Sequence, residues 1–345
     1  MVIVSETVGR RVVERSTAHV QARDAVIDTM RGVAILMVIG LHSLPKLHGS
    51  APVIAIDASL RPCVPIFLFA SGYLSAGCDH IPAAKRILRA LGPYTIAFIA
   101  AYVFMAAENP LMDHRPAIVL ARYGLAYVFV YYYVFVYIGC TVLLWLSFGA
   151  AGANRQRLIA FLCFAIVFGI AVGAYLGPLL QRLGVPAPLI EEARMRDLPF
   201  WFGFIAAGAI IGRLEPKQLL RDLRMPLLAV TLLAYAGYAS VRIFDIGDAA
   251  DYDSIAFFVY AALFCLCALA FAPRVSALGF LGAASYAIYL WHIFPIMILR
   301  GLLTPQDHPA ASFFVEYAAA LAFSVALVLA TRRIATPRLA RWLGA

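Results

Sequence analysis

Three groups able to do chemistry stand in one apolar stretch of the chain: Asp28, Arg31 and His42, in Asp28-Thr-Met-Arg31-Gly-Val-Ala-Ile-Leu-Met-Val-Ile-Gly-Leu-His42. Ionisable residues inside a membrane helix are costly, and those that persist mark functional sites. Eleven steps of about 100° bring His42 back to nearly the face of Arg31, roughly 16 Å further along the axis. One helix face then carries a cation near one membrane surface and an imidazole about half a bilayer deeper. Imidazole is the side chain best matched to proton transfer near neutral pH, which makes His42 the candidate base. The competing readings are a histidine that only bonds between helices and an interfacial Asp28–Arg31 ion pair one turn apart.

Three further clusters follow along the chain. In Pro65-Ile-Phe-Leu-Phe-Ala-Ser71-Gly72-Tyr73-Leu-Ser75, small residues would let helices approach closely. The functional alternative is a wall thinned at Ser71-Gly72 beside His42, where a narrow acyl carrier can pass. Lys85-Arg86-Ile-Leu-Arg89 places two guanidinium groups one turn apart at the start of the next apolar run. Their planar forks and a helix N-terminus both suit phosphate, whereas a plain topological anchor would need only the charge. Gly92-Pro93-Tyr94 predicts a kink just beyond. Finally, Ser285, Tyr289 and His292 share one face at i, i+4 and i+7 in Ser285-Tyr286-Ala-Ile-Tyr289-Leu-Trp291-His292-Ile-Phe-Pro295. Either they pack helices together or they line a substrate path. The His19-x4-Asp24 spacing found in soluble glycerolipid acyltransferases falls in the N-terminal tail, with nothing of that fold around it.

The elements that must hold these residues are membrane helices. Of 345 residues, 63% are hydrophobic and only 14% charged, with a mean hydropathy of +0.85, far from the balance of a soluble domain. Apolar runs predict an all-α polytopic protein of about ten transmembrane helices, near 28–47, 62–78, 87–107, 122–148, 157–178, 199–213, 225–243, 254–272, 277–300 and 313–331. The fourth is interrupted by Arg122, and its aromatic tract Tyr127 to Tyr137 reads either as span or as part of an interfacial element. The six cysteines lie in or beside apolar runs and suggest neither a disulfide framework nor a zinc site. The residues up to 23, with Arg10, Arg11 and Arg15 but no apolar core and cleavage site, read as a tail and not a signal peptide.

With ten spans and the N-terminus inside, 19 of the 28 basic residues fall on the cytoplasmic side, while Asp245, Asp248, Asp251 and Asp253 gather in one outer loop. The positive-inside rule therefore predicts that both termini are cytoplasmic. The net charge of +9 reports this topology and not nucleic-acid binding.

Taken together, the chain resembles the acyltransferase 3 family of integral membrane acyltransferases over residues 24–332, between an N-terminal tail (1–23) and a C-terminal tail (333–345). The likeness rests on Arg31-x10-His42 with Asp28 before it, the Pro65–Tyr73 segment, Arg86-x2-Arg89, and Ser-Tyr-x2-Tyr-Leu-x-His from Ser285 to His292. It implies a bacterial inner-membrane enzyme that takes an acyl group, most often acetyl, from cytoplasmic acyl-CoA. The acceptor would be a hydroxyl of a surface or periplasmic carbohydrate or glycolipid. Acyl-CoA is then a donor substrate, and no permanently bound cofactor or metal is implied.

By the same likeness Arg86 and Arg89 hold the CoA phosphates, and the pantetheine arm runs past Ser71, Gly72 and Tyr73. His42 meets the thioester near mid-membrane, and Ser285, Tyr289 and His292 line the path. Arg31 either contributes to the CoA pore or orients Asp28 and the first helix. Larger members add a hydrolase-like domain. Here the chain ends fourteen residues past the tenth run, so acceptor selection is expected from membrane helices and outer loops, with Glu191, Glu192 and Glu316 as candidate outer carboxylates. A transporter or flippase of a glycan or small solute is the rival class, although it has no need of a surface arginine pair aligned with a deeper histidine. Another membrane-bound O-acyltransferase superfamily would keep the chemistry but expects an Asn and a distant His in later spans. The acceptor, the acyl group and the oligomeric state are not legible.

Overall fold

In a computed structural model, residues 24–45, 50–247, 253–302 and 308–344 are described. The N-terminal tail, and Lys46, Asp248 and Asp251 among the residues counted above, lie outside them. The described residues are helical and contain no strand.

The first helix, α1, spans Ala25–Ser43, capped by the Asp24 carboxylate, which accepts from the Val26 and Ile27 amides. It stops because Leu44 precedes Pro45 and is driven into extended backbone, with ψ 131°. The second run is longer than expected and broken: α2, Ala51–Leu60, and α3, Cys63–Ser75, meet at Arg61-Pro62. Next come α4, Ala83–Glu108, which continues through Pro93, and the short α5, Pro116–Gly124. They are followed by α6, Tyr132–Ala151, α7, Arg155–Arg182, α8, Ala187–Met195, and α9, Leu198–Leu214. The second half holds α10, Lys217–Asp222, α11, Arg224–Ile243, and α12, Ile255–Phe271. The ninth run divides into α13, Ser276–Ala283, α14, Ser285–Trp291, and α15, Ile293–Leu302. The chain closes with α16, Pro309–Ile334, and α17, Pro337–Trp342.

Among the described residues, nine helical stretches are long and apolar enough to cross a membrane, and α12 is a tenth, shorter apolar helix. They correspond one for one to the ten runs read from the sequence.

The pattern is that of a lipid-facing bundle. On α7, Gly169, Gly173 and Gly177 are buried at helical spacing, while Phe164, Val167 and Tyr175 are exposed. Without a hydrophobic force between helices in lipid, close packing through small residues holds such bundles together. Gly32 of α1 and Gly282 of α13 show the effect: a Cβ on either would stand 2.0 Å from the Leu278 carbonyl oxygen or 1.8 Å from that of Asp28.

The tract between α5 and α6 resolves the ambiguous fourth run. The span begins only at Tyr132, so Arg122 lies on a separate helix. Residues 125–131 are non-helical, with positive φ at Ala126 and Phe129. Such backbone is tolerated at membrane depth only where protein satisfies it, and here it does. The Arg196 and Tyr289 side chains donate to the carbonyls of Leu125 at 2.8 Å and Val130 at 2.6 Å, and Tyr94 donates to that of Tyr123, at the end of α5, at 2.8 Å. Tyr131 in turn donates to the Leu290 carbonyl at 2.7 Å, fastening the tract to α14.

Candidate active site

Both charged features of α1 face the broken helix α13–α15. At one end Arg31 Nη2 donates to Ser285 Oγ at 3.0 Å, and Nη1 lies 3.7 Å from Asp28 Oδ1. At the other end the rings of His42 and His292 stand 5.4 Å apart between centroids, tilted by 36°. The face shared by Arg31 and His42 is thus real. The run read as 28–47 is a helix over 25–43, ended by the stop at Leu44-Pro45, so His42 sits in its last turn, about 16 Å along the axis from Arg31.

The two histidines differ in their bonding. His292 is fully buried, and its Nδ1 lies 2.8 Å from the Tyr289 carbonyl and 3.2 Å from that of Ile288. Carbonyls only accept, so the neutral ring carries its proton on Nδ1 and leaves a lone pair on Nε2. That Nε2 is buried with no partner among the described residues. His42 is only partly buried, and no hydrogen bond fixes its ring among the described residues. It is the histidine that a substrate reaches more easily.

A cavity of about 420 Å³ lies nearer the Arg31 end, within the usual size for a small-molecule site. Arg31, Arg86, Arg89, Ser71 and Ser285 supply its polar lining, and Phe67, Tyr133, Tyr137, Tyr286 and Tyr289 its aromatic wall. Arg86 Nη1 donates to Ser75 Oγ at 2.7 Å, and that hydroxyl donates to the Ser71 carbonyl at 2.5 Å. The chain of bonds aims one guanidinium across the cavity wall. Arg89 is exposed and has no partner among the described residues. Tyr286 donates to the Ala90 carbonyl at 2.7 Å, tying α14 to the helix that carries both arginines. Three cations converge here, and Asp28 is the carboxylate paired with one of them.

Six of the residues singled out from sequence, Arg31, Ser71, Arg86, Arg89, Ser285 and Tyr289, therefore share one cavity. Gly72 and Tyr73 do not line it. A Cβ on Gly72 would stand 1.9 Å from the Ile205 carbonyl oxygen, and one on Gly208 2.0 Å from that of Phe69. Gly72 serves the contact of α3 with α9 and thins no wall. Tyr73 stacks on Phe69 at 6.5 Å.

What the sequence reading passed over is Arg300. It donates to the His42 carbonyl at 2.6 Å and to that of Leu44 at 3.4 Å, while Nε and Nη2 both lie 3.0 Å from Glu316 Oε2. Glu316 is 1% exposed. Of the three candidate carboxylates, it is the one brought to the His42 end, whereas Glu192 pairs with Arg196. The signal was present: Arg300 is a charge inside an apolar run, as Arg31 is. Other ion pairs among the described residues lie away from the cavity: Arg194 with Asp253 at 2.5 Å, and Asp57 of α2 with Arg61 one turn on at 2.6 Å and with Arg242 of α11. No group of His, Cys, Asp or Glu suited to holding a metal ion occurs among the described residues.

Compared with known families, residues 24–333 match the model described as an acyltransferase domain, that of acyltransferase 3. No curated protein and no solved structure matches the chain.

Proposed function

The chain belongs to the acyltransferase 3 family and is a membrane acyltransferase, and from that premise we propose that it moves an acetyl group from acetyl-CoA to a carbohydrate hydroxyl across the membrane. The observation that carries this reading is the cavity with Arg86 and Arg89 at one side, below the His42–His292 pair. Guanidinium forks bind phosphate oxygens two at a time, so the nucleotide end of CoA belongs at these arginines. The pantetheine arm then occupies the cavity and directs its thioester at the histidines.

His42 acts as general base. It removes the acceptor hydroxyl proton as that oxygen attacks the thioester carbonyl. Collapse of the tetrahedral intermediate breaks the C–S bond, and the proton held by His42 passes to the departing CoA sulfur. The products are an O-acyl ester and CoA. His292, with its Nε2 lone pair beside His42, supports that ring. Arg31 holds Asp28 and the donor arm. The membrane is the bacterial inner membrane, with both termini on the CoA side, a sidedness supported by the distribution of basic residues.

Mass spectrometry of surface and periplasmic glycans from strains carrying the wild-type chain or His42→Ala tests the reading. An acetyl mass lost in His42→Ala supports it. Identical glycan masses in wild-type, His42→Ala and deletion strains would overturn it.

A further inference from the structure

A row of aromatic rings stands between the donor cavity and the histidines. Phe67 of α3 and Tyr133 of α6 stand 5.8 Å apart between centroids, and Tyr133 meets Tyr289 edge-on at 5.5 Å. Tyr289 lies 6.1 Å from the His292 ring. All three line the cavity, whereas neither His42 nor His292 does. Rings at these separations are in van der Waals contact, so no chain of methylenes passes between them as they stand.

The rings are not held equally. The Tyr289 hydroxyl is bonded to the Val130 carbonyl at 2.6 Å, so this ring is fixed against the non-helical tract. Phe67 is 7% exposed, on a helix packed closely at Gly72. The Tyr133 hydroxyl has no hydrogen bond among the described residues, and its ring sits between the other two. Tyr133 is the tyrosine whose hydroxyl is untethered, and its ring is bounded by Phe67, Tyr137 and the tethered Tyr289.

We propose that Phe67, Tyr133 and Tyr289 form a collar that selects the acyl group by length, passing a two-carbon acyl to the histidines and excluding longer chains. The proposal rests on the acyl-CoA reading above and deepens it. A short thioester needs only a small displacement of Tyr133. Each added methylene must displace more of the ring, against Tyr289 and Phe67. The collar also gives a task to Phe67 and Tyr289, which lie inside two of the motifs noticed in the sequence.

Calorimetric titration of the purified full-length chain with CoA, acetyl-CoA and butyryl-CoA tests this without knowledge of the acceptor. Wild type should bind butyryl-CoA about 10-fold more weakly than acetyl-CoA, the low end for discrimination by methylenes in an apolar pocket. Tyr133→Ala should abolish that difference, read as the ratio of acetyl-CoA to butyryl-CoA affinity within the one variant, because CoA and both acyl-CoAs share the arm that lies along this ring. Tyr133→Phe keeps the ring and should keep the difference. Equal wild-type affinity for the two acyl-CoAs overturns the collar, as does a difference that persists in both Tyr133→Ala and Phe67→Leu. If Tyr133→Ala fails to fold, the wild-type comparison and Phe67→Leu still decide. A wild-type chain that binds none of the three refutes the donor reading itself, an outcome distinct from loss of the collar alone.

Discussion

Removal of either cavity arginine should weaken CoA binding, by amounts that the two environments set apart. Arg86 is half-buried and oriented by Ser75, so on the acyl-CoA reading a phosphate bound there is sheltered from solvent. A charge-assisted hydrogen bond of that kind is worth about 1.5–3 kcal/mol. At roughly 1.4 kcal/mol per decade, Arg86→Ala should cost about 10- to 100-fold in affinity. Arg89 is exposed, and exposed pairs contribute about 0–1 kcal/mol, so Arg89→Ala should cost no more than about 5-fold at physiological salt. Screening separates them further. Lowering the ionic strength from about 0.15 M to 0.01 M lengthens the Debye length from about 8 Å to 30 Å, so the Arg89 effect should grow steeply and the Arg86 effect little. Arg86→Lys, which keeps the charge but loses the fork, should fall between wild type and Arg86→Ala. Calorimetry with CoA on purified, membrane-extracted protein reads all of these. Unchanged affinity in both alanine variants would refute the reasoning and leave the pair as a topological anchor.

His42→Ala should lower transfer by about 10²- to 10⁴-fold, the usual worth of a general base, at undiminished protein abundance. His292→Ala should cost less; a larger loss at His292 than at His42 would exchange their roles. Gly72→Ala should reduce folded protein in size-exclusion profiles, because the new Cβ would press on the Ile205 carbonyl, whereas Ser71→Ala should leave the profile alone; a normal profile for Gly72→Ala would contradict the close-packing account. Reporter fusions after Ala151 and Ala345 should both read cytoplasmic and one after Asp251 external, and a cytoplasmic signal at Asp251 would invert the topology.

The number of membrane helices was legible because each needs a long apolar run, and ten such runs separated by charges leave little choice. Their breaks were not. Nothing in the apolar pattern of 277–300 distinguishes one helix from α13, α14 and α15, since helix breaks inside a bundle are paid for by tertiary contacts. The non-helical tract 125–131 was hidden for the same reason: its Leu125 and Val130 carbonyls are satisfied by Arg196 and Tyr289, residues remote in sequence. A charge in an apolar run singled out Arg31, and a guanidinium pair at a helix start singled out Arg86 and Arg89; the three line one cavity. At Gly72 the sequence left two readings open, because the glycine that lets a cofactor pass and the glycine that lets two backbones meet read alike; the approach of Ile205 shows the second. Tyr133 was passed over because a tyrosine in an aromatic tract carries no positional mark until the partner rings are in place.

The spacing between Arg31 and His42 acquires its meaning from the second helix. α1 is fastened to α13–α15 at both ends: through Arg31 to Ser285 on one side, and through the Arg300 guanidinium to the carbonyls of His42 and Leu44 on the other. Arg300 also meets the helix C-terminus as a cation, the favourable sense for the helix dipole, and Glu316 balances its charge from α16. With both ends fixed, the eleven steps from Arg31 to His42 act as a rigid ruler about 16 Å long. On the facing helix the seven steps from Ser285 to His292 cover about 10 Å, and Tyr289 lies between them. The donor cavity, the aromatic closure and the histidine pair are therefore stacked in that order along one interface. On the acyl-CoA reading, helix length, more than any loop, sets how far an acyl group must travel from the arginines to His42.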